Sequence, residues 1–408
     1  MDSKQSSVPS RDRRIFVAGL ALALAAFPAL AQKKYDPGAS DSEIVIGNIV
    51  PYSGPASGYA IVGKTMAAYF DKVNAEGGIN GRKVRFISLD DGYNPAKTVE
   101  QARKLVEQDK VLFIVGSLGT AQNTAIQKYM NSRKVPQLFV ASGAAKWNDP
   151  KHFPWTIGFN PSYETEGKTY GRHLAETKPD AKIAVLFQND DLGKDYVRGF
   201  KAGLGPKAKD MIAAEASFEV SDPTIDSQIL TLKGSGANVI VYFATPKATA
   251  QALKKVGELG WRPVQYLSSV SVSIDAVLKP AGFDNAKGAI STNFMKEPGD
   301  KQWQNGPEFK DWQAFMTKYN AGSSQTDSLG VYAASLAQLT TVVLKNMGDD
   351  LTRENVMKQA SRLDTALPMM LPGIRIRTTP DDYRAIRQLE LITFDGARWT
   401  PSGKIYGD

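Results

Sequence analysis

The residues Gly58-Tyr59-Ala60-Ile61-Val62-Gly63-Lys64-Thr65 match the pattern G-x-x-x-x-G-K-[ST], in which backbone N–H groups cradle phosphates and a lysine reaches the outer ones. Residues 86–90 could supply the accompanying apolar strand that ends in a metal-binding aspartate. The context argues against both roles. Such a loop begins where its strand ends, yet seven residues separate Val50, the end of the preceding β-branched run, from Gly58. The interior Ala60-Ile61-Val62 reads instead as one face of a starting helix. Material for nucleophilic or zinc chemistry is thin. Cysteine is absent, and the two histidines, His152 in a proline-flanked loop and His173 in a predicted helix, are not at ligand spacing. No Gly-x-Ser-x-Gly elbow occurs. The expectation is a protein that is not an enzyme and uses no cofactor and no metal. The acidic pairs Asp90-Asp91 and Asp190-Asp191 stand at strand ends. They suit cleft polar groups or a metal site, but helix capping and turn formation are the preferred reading.

The elements that position these residues begin after a distinct N-terminus. Arg11, Arg13 and Arg14 precede an apolar run from 15 to 30 that ends in Ala29-Leu30-Ala31. This is the charge, apolar stretch and small-x-small site of a cleavable signal peptide over residues 1–31, with an uncleaved anchor as the alternative. Arg13-Arg14-Ile15-Phe16 also resembles a twin-arginine signal. Without cysteines there is neither a structural disulfide nor a lipid-anchoring thiol, so a free periplasmic protein is expected. Residues 1–31 carry four basic and two acidic side chains, so their removal lowers the net charge from +8 to +6. No Lys/Arg cluster stands out, which argues against nucleic acid as a partner.

A chain of 408 residues exceeds one ordinary core and predicts two domains or lobes. From residue 43 strands and helices alternate. Strands are expected at 43–50, 83–90, 111–115 and 135–140, with helices at 65–74, 95–108 and 121–132. The alternation restarts after 155–161, with strands at 182–187, 211–217, 237–243 and 264–267 and helices at 193–202, 224–232 and 246–259. Helices at 307–319 and 328–345 and a strand pair around Asp395-Gly396 follow. The fold class is therefore α/β, with parallel sheets covered by helices. Ligands in such sheets sit beyond the carboxyl ends of the strands, where helix N-termini offer free N–H groups. Attention falls on 51–59, 116–122, 141–147, 189–192, 244–245 and 268–271. Tyr59, Trp147, Phe243 and Leu192 lie near these junctions, and Ser117, Thr120 and Ser142 place small hydroxyls beside glycines.

The loops carry a resemblance. Val50-Pro51-Tyr52-Ser53-Gly54-Pro55, followed by Tyr59 and Gly63, and the turn Asn74-Ala75-Glu76-Gly77-Gly78-Ile79-Asn80-Gly81 are similar to leucine/isoleucine/valine-binding proteins. Asp90-Asp91 with Pro95, and the strands at 113–116 and 183–190, extend the resemblance over 42–408. It implies a type I periplasmic binding protein of an ABC importer: two Rossmann-like lobes, a three-crossover hinge near 158–161, and delivery of a small-molecule ligand to a membrane permease by a monomer. The implied lobes are 42–160 plus 289–366 and 161–288 plus 367–408. The implied site takes Tyr59, Ser117, Leu118, Gly119, Thr120, Ser142, Gly143 and Ala144 from the first lobe, where backbone N–H groups receive a carboxylate. Leu192, Phe243, Thr245 and Val270 face them from the second. Relatives that bind amino acids hold the ammonium with a hydroxyl and an acidic residue, and those places fall here on Ala144 and Val270. Ser268-Ser269-Val270-Ser271 contains no carboxylate, although a shift of a few residues would bring Asp191 or Asp275 there. Despite the family's branched-chain amino-acid label, an aromatic or aliphatic acid without an α-amine is expected, because a buried unpaired ammonium is costly. A ligand-sensing module signalling to a membrane receptor is the alternative, and a nucleotide enzyme using Gly58–Thr65 a remote one.

Overall fold

Glu43–Val50 (β1) buries seven consecutive residues, as expected of a parallel strand covered on both faces. Around it a computed structural model, which describes residues 1–6 and 33–407, builds a five-stranded sheet. The expected signal peptide lies outside the described residues, save for its first six. The sheet also holds Lys83–Asp90 (β2), Ile114–Val115 (β3), Gln137–Val140 (β4) and Thr156–Gly158 (β5), in the order β2-β1-β3-β4-β5. All its pairings are parallel. Ala60–Ala75 (α1), Pro95–Arg103 (α2) and Thr120–Ser132 (α3) connect the strands. Two expected elements are shorter. The strand at 111–115 keeps only Ile114–Val115, and α2 widens into a π turn at Lys104–Gln108.

The second sheet has seven strands. They are Ile183–Gln188 (β6), Ile212–Phe218 (β7), Val239–Phe243 (β8), Val264–Leu267 (β9), Ile290–Asn293 (β10), Gln388–Phe394 (β11) and Trp399–Gly407 (β12), in the order β12-β11-β10-β9-β8-β6-β7. The two C-terminal strands are antiparallel to their neighbours. Its helices include Tyr163–Thr177 (α4), Asp191–Leu204 (α5), Asp226–Gly234 (α6) and Pro246–Glu258 (α7). Pro307–Tyr319 (α8) and Ser328–Asn346 (α9) share a core with α1 and the first sheet. So do Phe294, Met295, Leu367 and Met369. The chain thus passes between the sheets three times: after β5, after β10 and before β11. β10 lies beyond the expected boundary at 288 yet pairs with β9 and β11.

The helix pair that follows the first passage is tightly packed. A Cβ on Gly167 or Gly171 of α4 would collide with the Tyr196 or Phe200 carbonyl of α5. Gly199 and Gly203 face Glu164 and Lys168 of α4 in the same way. Glycines one turn apart on both helices let the backbones touch. This brings Glu166 of α4 against Tyr196 of α5, whose hydroxyl donates to it at 2.8 Å.

Candidate ligand-binding site

The loop after β1 delivers Tyr59 to the N-terminus of α1, where it is buried. Its hydroxyl crosses to the second sheet and donates to the Val270 carbonyl at 2.9 Å. After β3, Gly119 adopts φ +103 and opens α3, which no side chain caps. From the second sheet, Asp190 caps α5 by accepting from the Leu192 N–H at 3.0 Å and so fixes Leu192. These residues converge with Leu118 on a cavity of about 70 Å³. Tyr93, Tyr163 and Tyr332 join its wall, with Phe294 and Met295. Burial holds all four tyrosine hydroxyls above their ordinary range, Tyr163 at about 12, so they remain neutral donors.

Of the residues expected at the site, Tyr59, Leu118, Gly119, Leu192 and Val270 line this cavity. The others stand behind it or elsewhere. Thr120 and Ser142 bond to each other at 2.7 Å, and Ser142 also accepts from Trp147 Nε1 at 3.0 Å. Gly143 underlies the Tyr163 ring, and Ala144 is buried beside it in the core. Ser117 is buried with its hydroxyl unpaired. Phe243 stacks on Tyr196 at 4.9 Å between centroids, and Thr245 donates to Gln188 at 3.0 Å. Sequence reasoning omitted Tyr93, Tyr163, Asn160, Asn293 and Tyr332. Tyr93 follows a strand end as the chosen loops do, so its position was a usable signal.

Among the described residues, none that lines the cavity is Asp, Glu, His, Lys or Arg. The nearby carboxyls are engaged behind the wall. Glu166 accepts from Tyr170, Tyr196, and both the N–H and hydroxyl of Ser269 at 2.6–2.8 Å. Glu297 accepts from Asn293. Asp327 caps α9 and accepts from Ser273. Asp191 pairs with Lys146 at 2.7 Å. Asp90 and Asp91 are likewise consumed, the first by the N–H groups of Tyr52, Ser53 and Gly92, the second by Tyr93 and Thr98.

The phosphate-loop pattern does not form. β1 ends at Val50, and Gly58 faces across to Ala276, whose Cβ would be 3.1 Å from an added one. Lys64 is exposed on α1.

A sequence model described as "Periplasmic binding protein" matches residues 43–398. The chain belongs to this family. Among relatives, Leu/Ile/Val-binding protein homolog 7 of Brucella abortus is 23% identical over 307 residues, spanning 71% of this chain and 75% of that one. A branched-chain amino acid ABC transporter structure from Thermus thermophilus with bound valine superposes with a TM-score of 0.79 at 17% identity, covering 91% and 97% of the two chains. A solute-binding protein of an ABC transporter from R. palustris in complex with 4-hydroxybenzoate gives 0.75 at 19%, covering 90% and 98%. The fold is thus that of type I periplasmic binding proteins, built on parallel sheets with C-terminal antiparallel strands.

In this periplasmic binding protein, Gly143 tests the site's packing. A Cβ there would lie 2.4 Å from the Pro161 carbonyl oxygen and 2.7 Å from the Tyr163 ring. Gly143→Ala is expected to cost about 1–3 kcal/mol through overpacking. Urea unfolding checks this, and an unchanged midpoint would show that both the Pro161 backbone and the ring have room to move.

Proposed function

We propose that the chain is the substrate-binding component of an ABC importer, secreted through its N-terminal signal peptide. In this reading it holds a small organic acid lacking an α-amine and catalyses no reaction. The two sheets are the centres of two lobes, and the ligand sits where they meet. Closure about the three crossings buries it, and a monomer presents it to a membrane permease. The uncharged cavity wall carries the reading. In this reading a carboxylate is received at the start of α3, which no side chain caps and whose N-cap residue Gly119 lines the cavity. An ammonium finds no free carboxylate, since Glu166, Glu297, Asp327 and Asp191 already have partners. Leaving it buried without one costs several kcal/mol. Solved structures of similar fold hold valine in one case and 4-hydroxybenzoate in another.

Titration calorimetry of the mature chain at neutral pH tests the assignment. Benzoates and short aliphatic acids are expected to bind at micromolar concentration or tighter, and leucine, isoleucine and valine at least about 100-fold more weakly. Tight binding of the amino acids with none of the simple acids overturns the ligand class.

A further inference from the structure

Among the described residues, Tyr93 alone lines both the inner cavity and the outer mouth of the cleft, a space of about 1090 Å³. Its backbone is in the left-handed region at φ +60, which L side chains other than Asn and Asp rarely occupy. The surroundings hold it there. Its N–H donates to Asp91 at 2.9 Å, and its carbonyl accepts from the Gln122 amide at 2.8 Å. The ring lies over Gly119, where an added Cβ would be 2.8 Å from Tyr93 Cε2. On the far side the hydroxyl meets the side chain of Gln188. Gln188 is itself fixed, donating to Asp190 at 2.6 Å and accepting from Thr245 at 3.0 Å.

The bonds that hold this turn are made by the Tyr93 main chain, so the turn does not need a ring. A strained backbone that carries a large side chain points to what that side chain covers. Here it covers the boundary between the small inner cavity and the large outer mouth.

We infer that the Tyr93 ring is the end wall of the ligand site and sets the longest ligand the cavity accepts. The inference rests on the cavity being the ligand site, as proposed above. A ligand seated in the inner cavity beside Gly119 meets this ring before it reaches the mouth. Removing the ring joins the two spaces, and a longer tail then lies among Pro246, Ala250 and Ala276, which line the mouth.

The test is calorimetry with straight-chain monocarboxylic acids of increasing length and 4-alkylbenzoates, run beside straight-chain α-amino acids. The proteins are the wild type, Tyr93→Ala, Tyr93→Phe and Tyr93→Trp, each checked for folding by circular dichroism. In whichever series binds, Tyr93→Ala is expected to gain at least about tenfold for members beyond the wild-type cutoff and to lose affinity for the short ones. Tyr93→Phe keeps the cutoff, because the ring remains. Tyr93→Trp moves it to shorter members and stands as the test should the alanine variant not fold. Equal cutoffs in the wild type, Ala and Trp proteins, with short ligands still bound, overturn the role of Tyr93 and leave the site intact. Binding of neither series to any of the proteins overturns the site and the wall together. Binding of the amino acids alone overturns only the proposed ligand class, since the cutoff is then read in that series.

Discussion

Glu166→Ala is expected to lower unfolding free energy by about 3–5 kcal/mol, while Glu166→Gln costs less than about 1.5 kcal/mol. Four groups donate to this buried carboxyl. Oε1 accepts from Tyr170 at 2.6 Å and from the Ser269 N–H at 2.7 Å. Oε2 accepts from Tyr196 at 2.8 Å and from the Ser269 hydroxyl at 2.7 Å. Burial raises its pKa, and the donors oppose the rise. Alanine leaves a hole and strands the Ser269 N–H, which cannot turn to another acceptor. Glutamine keeps one oxygen for Tyr170 and the Ser269 N–H. Its amide N–H groups face two hydroxyls, which rotate to accept. The same contacts hold Ser269 and Val270, both of which line the cavity. Ligand affinity is therefore expected to fall more than about tenfold in the alanine variant and to persist in the glutamine one. Urea unfolding and calorimetry on both proteins check this. Equal losses in the two variants would mean that charge, not the count of hydrogen bonds, holds the loop.

The alternating sheets were legible because each strand is an apolar run bounded by turn residues, as at 43–50 and 239–243. Tyr59, Leu118, Gly119, Leu192 and Val270 were reachable because strand-to-helix junctions follow from that alternation. Other parts of the wall obey no local rule. Ser328, Leu329 and Tyr332 belong to α9, and no sequence pattern says which of its faces meets a cavity. Asn293 ends β10, and its place follows only from that strand's pairing with β9 and β11. Glu166 reads as an ordinary acid on a helix, since its four partners come from three separate segments. Thr120 and Ser142 were expected at the site from the family resemblance, with helix capping as the alternative for small hydroxyls beside glycines. The indole N–H of Trp147 claims Ser142, and Ser142 engages Thr120, so both hydroxyls already have protein partners.

Raising the pH from about 5 to above 8 is expected to destabilise the wild type through Glu297, and Glu297→Gln to remove that part of the loss. Glu297 is 6% exposed, and its carboxyl is pushed up to about 8. Burial is the main cause, the nearby charges of Asp327 and Asp300 add to it, and the hydrogen bond from Asn293 opposes it. The folded-state pKa lies above the unfolded value near 4.5, so between the two the folded chain holds the extra proton. This group's contribution is therefore complete below about pH 4.5 and is lost as pH rises through about 8. The loss amounts to about 3 kcal/mol by pH 7 and about 5 kcal/mol above pH 8. Glutamine keeps the size and the acceptor for Asn293 but has no proton to release. The variant should match the wild type near pH 5, exceed it in stability at pH 8, and show a flatter slope between. Urea unfolding across this range measures the difference, in which titrations common to both proteins cancel. Equal slopes would show that Glu297 ionises without cost and that water reaches it. A functional consequence follows from the position of Asn293 in the cavity wall. Asn293 Oδ1 accepts the N–H groups of Phe294 and Met295, so its amide is fixed between Glu297 and the cavity. Ionising Glu297 puts a negative charge just behind that wall, and the affinity for an acid ligand is expected to fall above pH 8 in the wild type but not in Glu297→Gln.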